Sequence, residues 1–369
     1  MGSRGCRLQR PRSNSPTCPV ALRPPKMKLY LHGSTKAEDI KRDARWPDNF
    51  KTNAEQFNHK LILDVLVVAE RRVFTKEETK KYMRLTSSTW TPHALMKCGW
   101  PLLRCNTLVV VAGEPHVILS MFINGRQDLE LQKMLKNASN TATGMFQYSK
   151  TLGQLKPHQI VENGPKSGQN HLTYGKMTMV GMYIGLYGDA KGAHHYKRQE
   201  AADDDCDFLK SQALHYGGLR AMERLHVPAY ADNRIFFAKR VDFPGMIPGI
   251  RIETVSSTSA SCTTGYACDA HTDSAVRGAA ESIYWYAPDG MKLPKGHEWA
   301  FAICDACVLF DLNQGVCACY LPGKGVVHGT LPTSKDHYEH EGNGFALVTK
   351  ARAVGEQAKK HYREFVHRS

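Results

Sequence analysis

The sequence predicts an α+β protein with a double-stranded β-helix, or jelly-roll, core flanked by helices. Three observations predict it. Beyond Asn233 short apolar segments alternate with turns, the texture of sandwiches, barrels and jelly rolls. Ahead of that point helical spacing and a hairpin signal are mixed. Within the strand-rich part, a His-x-Asp tripeptide and a later His fall next to predicted strands, where such a fold gathers side chains from distant sequence.

The chain has 369 residues, 42% hydrophobic and 23% charged, which suits a folded protein with a sizeable core. The formal charge of +14 favours a polyanionic partner, nucleic acid or an anionic membrane surface. No apolar run is long enough to span a bilayer; the best, Leu61 to Ala69, is short and contains Asp64. No secretory apolar segment follows Met1. An intracellular protein is expected, nuclear first, with an organelle as the alternative because the start is rich in Arg and Ser. The odd count of 11 cysteines then reads as reduced thiols. Cys304, Cys307, Cys317 and Cys319 are expected to be buried apolar side chains and not a zinc site. Cys317 and Cys319 share one face of a strand, and the inner spacing is not a standard one.

Element by element, residues 1–26 carry Arg, Pro and Ser without an acid and read as a disordered basic tail. Residues 27–232 read as a helical and mixed support region packed on the core. Within it, Asn53 to Phe74 has helical spacing around Leu61, Leu63, Leu66 and Val67. Thr75 with Glu78 three residues on forms a capping box before a short basic helix. Leu108 to Ala112 and Val117 to Phe122, split by Gly113-Glu114-Pro115, read as a β-hairpin. Asp128 to Lys136 and Asp207 to Leu225 read as helices. Residues 233–369 read as the jelly-roll core, with strands at Arg234 to Ala238, Ile250 to Val255, Ser282 to Ala287, Trp299 to Ile303, Val308 to Leu312, Gly315 to Leu321, Val326 to His328 and Phe345 to Lys350. A basic helix, Glu356 to His367, closes the chain. The whole is expected to be one integrated unit.

His271-Thr272-Asp273 and His328 carry the chemistry. A non-haem Fe(II) centre needs two imidazoles and one carboxylate on one face of the metal, leaving positions open for cosubstrate and O2. His-x-Asp puts two such groups on one side of an extended chain. The third comes from a strand that the fold brings alongside. His194-His195, and His337 with Glu339, lie among polar and Gly residues and are expected in loops. Tyr266, Tyr284, Trp285 and Tyr286 are candidates to stack on an extruded base, although strands are rich in aromatics in any case.

On His271-Thr272-Asp273, on Tyr320-Leu321-Pro322-Gly323 ahead of Val327-His328, and on Phe345-Ala346-Leu347-Val348-Thr349, the stretch from Ile250 to Arg352 resembles the Fe(II)/2-oxoglutarate dioxygenases. Within them it looks most like the TET/JBP group, which oxidises 5-methylpyrimidines in DNA. The resemblance implies Fe(II) on His271, Asp273 and His328, O2 as oxidant, DNA as partner and 5-methylcytosine as target. One position departs from the pattern. The strand after the distal His should begin with an Arg that grips 2-oxoglutarate, and here Gly344 stands in that place. Lys335, Arg277 and Arg352 are the candidate replacements, with Lys350 nearby. Ascorbate is the alternative cosubstrate, as in the vitamin C-using branch of TET-like enzymes in algae. Two other functions fit the residues: a jelly-roll Fe(II)/2-oxoglutarate hydroxylase of a protein or small molecule, and a non-catalytic DNA-binding protein derived from a mobile element.

Overall fold

β-Branched and large apolar residues fill most of the strands, as a pleated, covered surface requires. The computed structural model describes residues 18–36, 62–126, 173–184, 190–192, 259–272, 281–287, 298–321, 325–332 and 343–348, with single positions between 129 and 140. Among the described residues the protein is mixed α+β, mostly sheet, with few and short helices.

The strands are β1 (Met27–Lys36), β2 (Ile62–Ala69), β3 (Leu102–Leu103), β4 (Thr107–Val111), β5 (Glu114–Asn124), β6 (Thr173–Ile184), β7 (Ala190–Gly192), β8 (Ser259–Cys268), β9 (Glu281–Tyr286), β10 (Ala300–Ile303), β11 (Val308–Asp311), β12 (Val316–Leu321), β13 (His328–Leu331) and β14 (Asn343–Val348). A ten-stranded sheet runs β1-β2-β4-β5-β12-β9-β14-β8-β6-β7, and a four-stranded sheet runs β13-β10-β11-β3. From β8 onward the chain alternates between them. It leaves the large sheet after β8 and touches the edge of the small one at His271. It then supplies β9 to the large sheet, β10 and β11 to the small, β12 to the large, β13 to the small and β14 to the large.

The two sheets enclose one hydrophobic core. Val65, Val67, Val109, Phe122, Trp285, Cys317 and Cys319 enter it from the large sheet, and Leu103, Phe301, Ile303, Val308 and Phe310 from the small. Phe122 and Phe310 stack across the gap with centroids 4.5 Å apart. The period of two then sends Leu102, Ala300, Ala302, Leu309 and Leu331 to the far face of the small sheet. There a second core forms with Leu22, Met83, Trp90, Leu95 and Trp100. Two short helices border this layer. Helix α1 (Lys76–Tyr82) starts at the expected capping box, Thr75 accepting from the Glu78 N–H and Glu78 from the Thr75 N–H. Helix α2 (Pro92–Lys97) is capped by Thr91.

Several expectations hold here. The hairpin is β4 and β5, paired antiparallel. Strands appear at Ser282, Trp299, Val308, Gly315 and Phe345 within a residue or two of their expected positions. Both sheets combine strands from early and late in the chain, since β12 pairs with β5, β8 with β6 and β11 with β3.

Others are corrected. The helix expected across Asn53 to Phe74 is strand β2 over its described apolar part. It lies between β1 and β4, and Leu66 and Val67, on opposite faces, are both fully buried, so no alternation marked it as a strand. The tail expected to reach residue 26 is structured from residue 18. Val20–Leu22 forms a 3-10 turn, Leu22 is buried, and its carbonyl accepts the Trp100 indole N–H at 2.7 Å. Cys18 is disulfide-bonded to Cys98, so not every thiol is reduced. The expected helices Asp207 to Leu225 and Glu356 to His367, and the strands Arg234 to Ala238 and Ile250 to Val255, lie outside the described residues. No helix among the described residues is long and apolar enough to cross a membrane.

Truncating Phe310 removes a stacked ring from the space between the sheets. Phe310→Ala should cost about 3–5 kcal/mol, read as a lower urea midpoint at an unchanged slope. Val73→Ala, at a position 78% exposed, should stay within about 0.5 kcal/mol. Equal costs for the two would contradict this placement of Phe310.

Candidate metal centre

His271 and His328 meet across an antiparallel bridge. The His271 N–H donates to the His328 carbonyl and the His328 N–H to the His271 carbonyl, both at 2.9 Å. Their imidazoles are brought to 4.7 Å between centroids, tilted by 56°. His328 opens β13 and does not end a strand as expected. It pairs with Ile303 of β10, so it points the same way as Ile303, into the space between the sheets. Its ring lies 5.5 Å from that of Phe301. His328 is buried and His271 half-buried, so the pair runs from the edge of the inter-sheet core toward the surface.

Each ring is oriented by the backbone two residues before it. The Nδ1 of His271 lies 2.9 Å from the Asp269 carbonyl, and the Nδ1 of His328 lies 2.9 Å from the Val326 carbonyl. A carbonyl oxygen can only accept, so both Nδ1 atoms carry a proton, and in the neutral ring the lone pair then lies on Nε2. That is the tautomer a metal-binding histidine needs, and such a bond from the other ring nitrogen is the usual partner of one. The donor chemistry at this pair therefore fits a divalent first-row metal such as Fe(II).

The segments that carry the two carbonyls are themselves pinned by buried acids. Asp269 accepts from the Leu85 N–H at 2.6 Å and from Arg84 Nη1 at 3.1 Å. Asp305 accepts from the Val327 N–H at 3.1 Å and from Arg71 Nε at 3.0 Å. Burial pushes the Asp305 carboxyl up, opposed by the Val327 N–H and the Arg71 guanidinium. Arg71 also donates to the Gly325 carbonyl at 3.0 Å, which ties down the turn before His328. These residues escaped the sequence analysis. Their contacts run through main-chain atoms and through side chains far apart in sequence. The one available signal was an acid two residues before His271.

Of the other expected site residues, Asp273, Arg277, Lys335 and Arg352 lie outside the described residues, as does Lys350. Among the described residues no three His, Cys, Asp or Glu side chains form a group that could hold a metal. Gly344 lies on β14, opposite Trp285 on one side and Thr263 on the other. This register puts it on the face from which Trp285 enters the inter-sheet core. Tyr284 and Trp285 are buried core residues on opposite faces of the large sheet, and Tyr266 and Tyr286 are half-buried. The four clustered cysteines are buried and carry free thiols. They divide between two cores, Cys317 and Cys319 between the sheets and Cys304 and Cys307 behind the small one. The Cys304 to Cys307 spacing is that of a tight turn joining β10 to β11. Burial raises the Cys304, Cys307 and Cys317 thiols, which keeps them protonated.

Close approach of β13 to the His271 segment requires Gly329. A Cβ there would meet Trp90 Cζ2 at 2.9 Å, the Asp269 carbonyl oxygen at 3.1 Å and Ala270 Cα at 3.4 Å. Trp90 is held in place by its own indole bond to the Cys268 carbonyl at 2.9 Å. Gly329→Ala should therefore push the two strands apart, at a cost of about 1–3 kcal/mol in stability, with weakened uptake of Co(II) as an Fe(II) surrogate. Calorimetry and a Co(II) absorption titration would check both; unchanged values for both would contradict the close approach.

No family model matches the chain, and no curated protein matches it. Among solved structures, the chain is similar to one described as NgTET1 in complex with 5mC DNA, at a TM-score of 0.37 and 8% identity, with 70% of this chain and 84% of that chain covered.

Proposed function

We propose that the chain is a non-haem Fe(II) dioxygenase that oxidises or modifies 5-methylpyrimidine, foremost 5-methylcytosine, in DNA. The observation that carries this is the histidine pair: two imidazoles 4.7 Å apart on a backbone bridge, each with Nδ1 committed to a main-chain carbonyl. Two neighbouring imidazoles, each with Nδ1 directed to a main-chain carbonyl, suit metal binding through Nε2. Asp273, two residues beyond His271, supplies the carboxylate of a facial triad. The alternation of β8 to β14 between two sheets supports a jelly roll as the frame. The charge of +14 supports a polyanionic substrate.

Fe(II) held there would supply activation of O2 and removal of hydrogen from a substrate methyl or C–H group, with electrons from 2-oxoglutarate or ascorbate. The chain's own residues set the conditions. His271 and His328 present Nε2, while their Nδ1–H groups stay on Asp269 and Val326. Phe301 and Trp285, packed 4.9 Å apart between centroids, keep water from the inner side of the pair. Gly344 offers no charge to a far carboxylate, and burying one unpaired is costly. The cosubstrate is therefore either ascorbate or a 2-oxoglutarate anchored by a displaced base, Lys335 or Arg277 ahead of Arg352.

The test is mass spectrometry of nucleosides after 5-methylcytosine DNA is incubated with the protein, Fe(II) and each cosubstrate separately. A modified cytosine should appear with wild type and fall below detection with His271→Ala, Asp273→Ala or His328→Ala. If 2-oxoglutarate serves, Lys335→Ala or Arg277→Ala should slow turnover more than Arg352→Ala does. Binding to DNA should weaken steeply with salt. No Fe(II)-dependent product with either cosubstrate, or succinate formation that depends on Arg352 alone, would sink the respective part of the proposal.

A further inference from the structure

The two imidazoles share a supporting plan that their own hydrogen bonds do not explain. Each Nδ1–H ends on a main-chain carbonyl, and a carbonyl orients a ring only if its peptide is itself held. Asp269 provides the carbonyl for His271, and its buried carboxylate is fixed by the Leu85 N–H and by Arg84. The acceptor peptide is held from its other end as well, because its N–H, that of Ala270, donates to the Met83 carbonyl at 3.0 Å. These contacts tie the His271 segment to the end of α1. On the other side, Val326 provides the carbonyl for His328, and the following N–H, that of Val327, donates to buried Asp305. Asp305 is in turn bonded by Arg71, at 2.8 Å through Nη2. The Val327 carbonyl, which belongs to the next peptide, accepts from the Cys304 N–H at 2.8 Å, so the segment is held on both sides of Val327.

We propose that Asp269 with Arg84, and Asp305 with Arg71, are positioning pairs that hold His271 and His328 in the Nδ1–H tautomer at the angle the metal needs. This rests on the metal-site reading above. Neither acid touches the metal, cosubstrate or substrate; each acts through a peptide. Two features separate this role from ordinary core packing. Both carboxylates are almost fully buried, where a hydrophobic side chain of similar size would be the less costly occupant. Each is also placed at the peptide that carries a ring's acceptor: Asp269 bears the acceptor carbonyl itself while its carboxylate is bonded to the Leu85 N–H, and Asp305 is bonded to the Val327 N–H of the peptide whose carbonyl serves His328. Positioning partners of this kind are worth roughly 10- to 100-fold in metal affinity.

The tautomer can be read without any metal. Apo protein labelled with 15N-histidine reports, through two-bond nitrogen–proton couplings, which ring nitrogen holds the proton. In wild type both rings should be in the Nδ1–H form at a pH where they are neutral. Asp269→Asn keeps an oxygen for Leu85 but loses the charge that holds Arg84. It should give a tautomer mixture at His271 and leave His328 unchanged. Asp305→Asn should do the reverse. Co(II) affinity should fall about 10- to 100-fold in each. Arg84→Gln and Arg71→Gln change partly exposed side chains, should produce the same site-specific pattern, and serve if either Asn variant fails to fold. Arg84→Lys should restore most of the His271 signal. Unchanged tautomers and unchanged Co(II) affinity in all folded variants would overturn the positioning role. Wild type with both rings locked Nδ1–H but no Co(II) uptake would overturn the metal reading and leave the positioning of the rings standing.

Discussion

Two backbone hydrogen bonds between residues 271 and 328 hold the site together. They are the only ladder rung that the His271 segment makes with the small sheet among the described residues. They set the two histidines side by side with their side chains on one face, and the Asp269 and Val326 carbonyls then orient the rings. Everything nearby serves that rung. Gly329 has no Cβ to hold the strands apart, Trp90 fills the space beneath it, and the acids hold the chain on either side. A buried polar arrangement is costly when half-made and firm when complete. Here the described members are bonded to one another through backbone as often as through side chains, which favours rigidity over adaptability.

The small sheet is what makes this arrangement possible. It is covered on both faces, by the large sheet on one side and by α1, α2 and the 18–26 segment on the other. Its central strands β10 and β11 are uniformly buried. The edge strand β13 then places buried His328 beside half-buried His271 at the margin of the inter-sheet core.

How much of this was legible in the sequence follows from the range of each interaction. The capping box of Thr75 and Glu78 is a contact across three residues, and it was read correctly. The hairpin of β4 and β5 is marked by its own turn. Strand β2 was misread because a strand buried on both faces loses the period of two, and its leucines also satisfy helical spacing. The anchoring of residues 18–26 depends on Cys98 and Trp100, about 80 residues away, while the local composition is that of a tail. His271 and His328 were legible because metal chemistry restricts residue type. Their supports were not, because a carbonyl oxygen is the same on every residue.

The cross-link between Cys18 and Cys98 gives the protein two thermodynamic identities. Its ends are separated by 80 residues of sequence, and closing a loop of that size removes unfolded-state entropy worth about 4 kcal/mol in the chain-entropy model. Whole domains are commonly stable by only about 5–15 kcal/mol. The same polypeptide is therefore a distinctly sturdier object under oxidising conditions than under reducing ones. The cross-link itself lies in the layer behind the small sheet, to which the α1 end that steadies His271 also belongs.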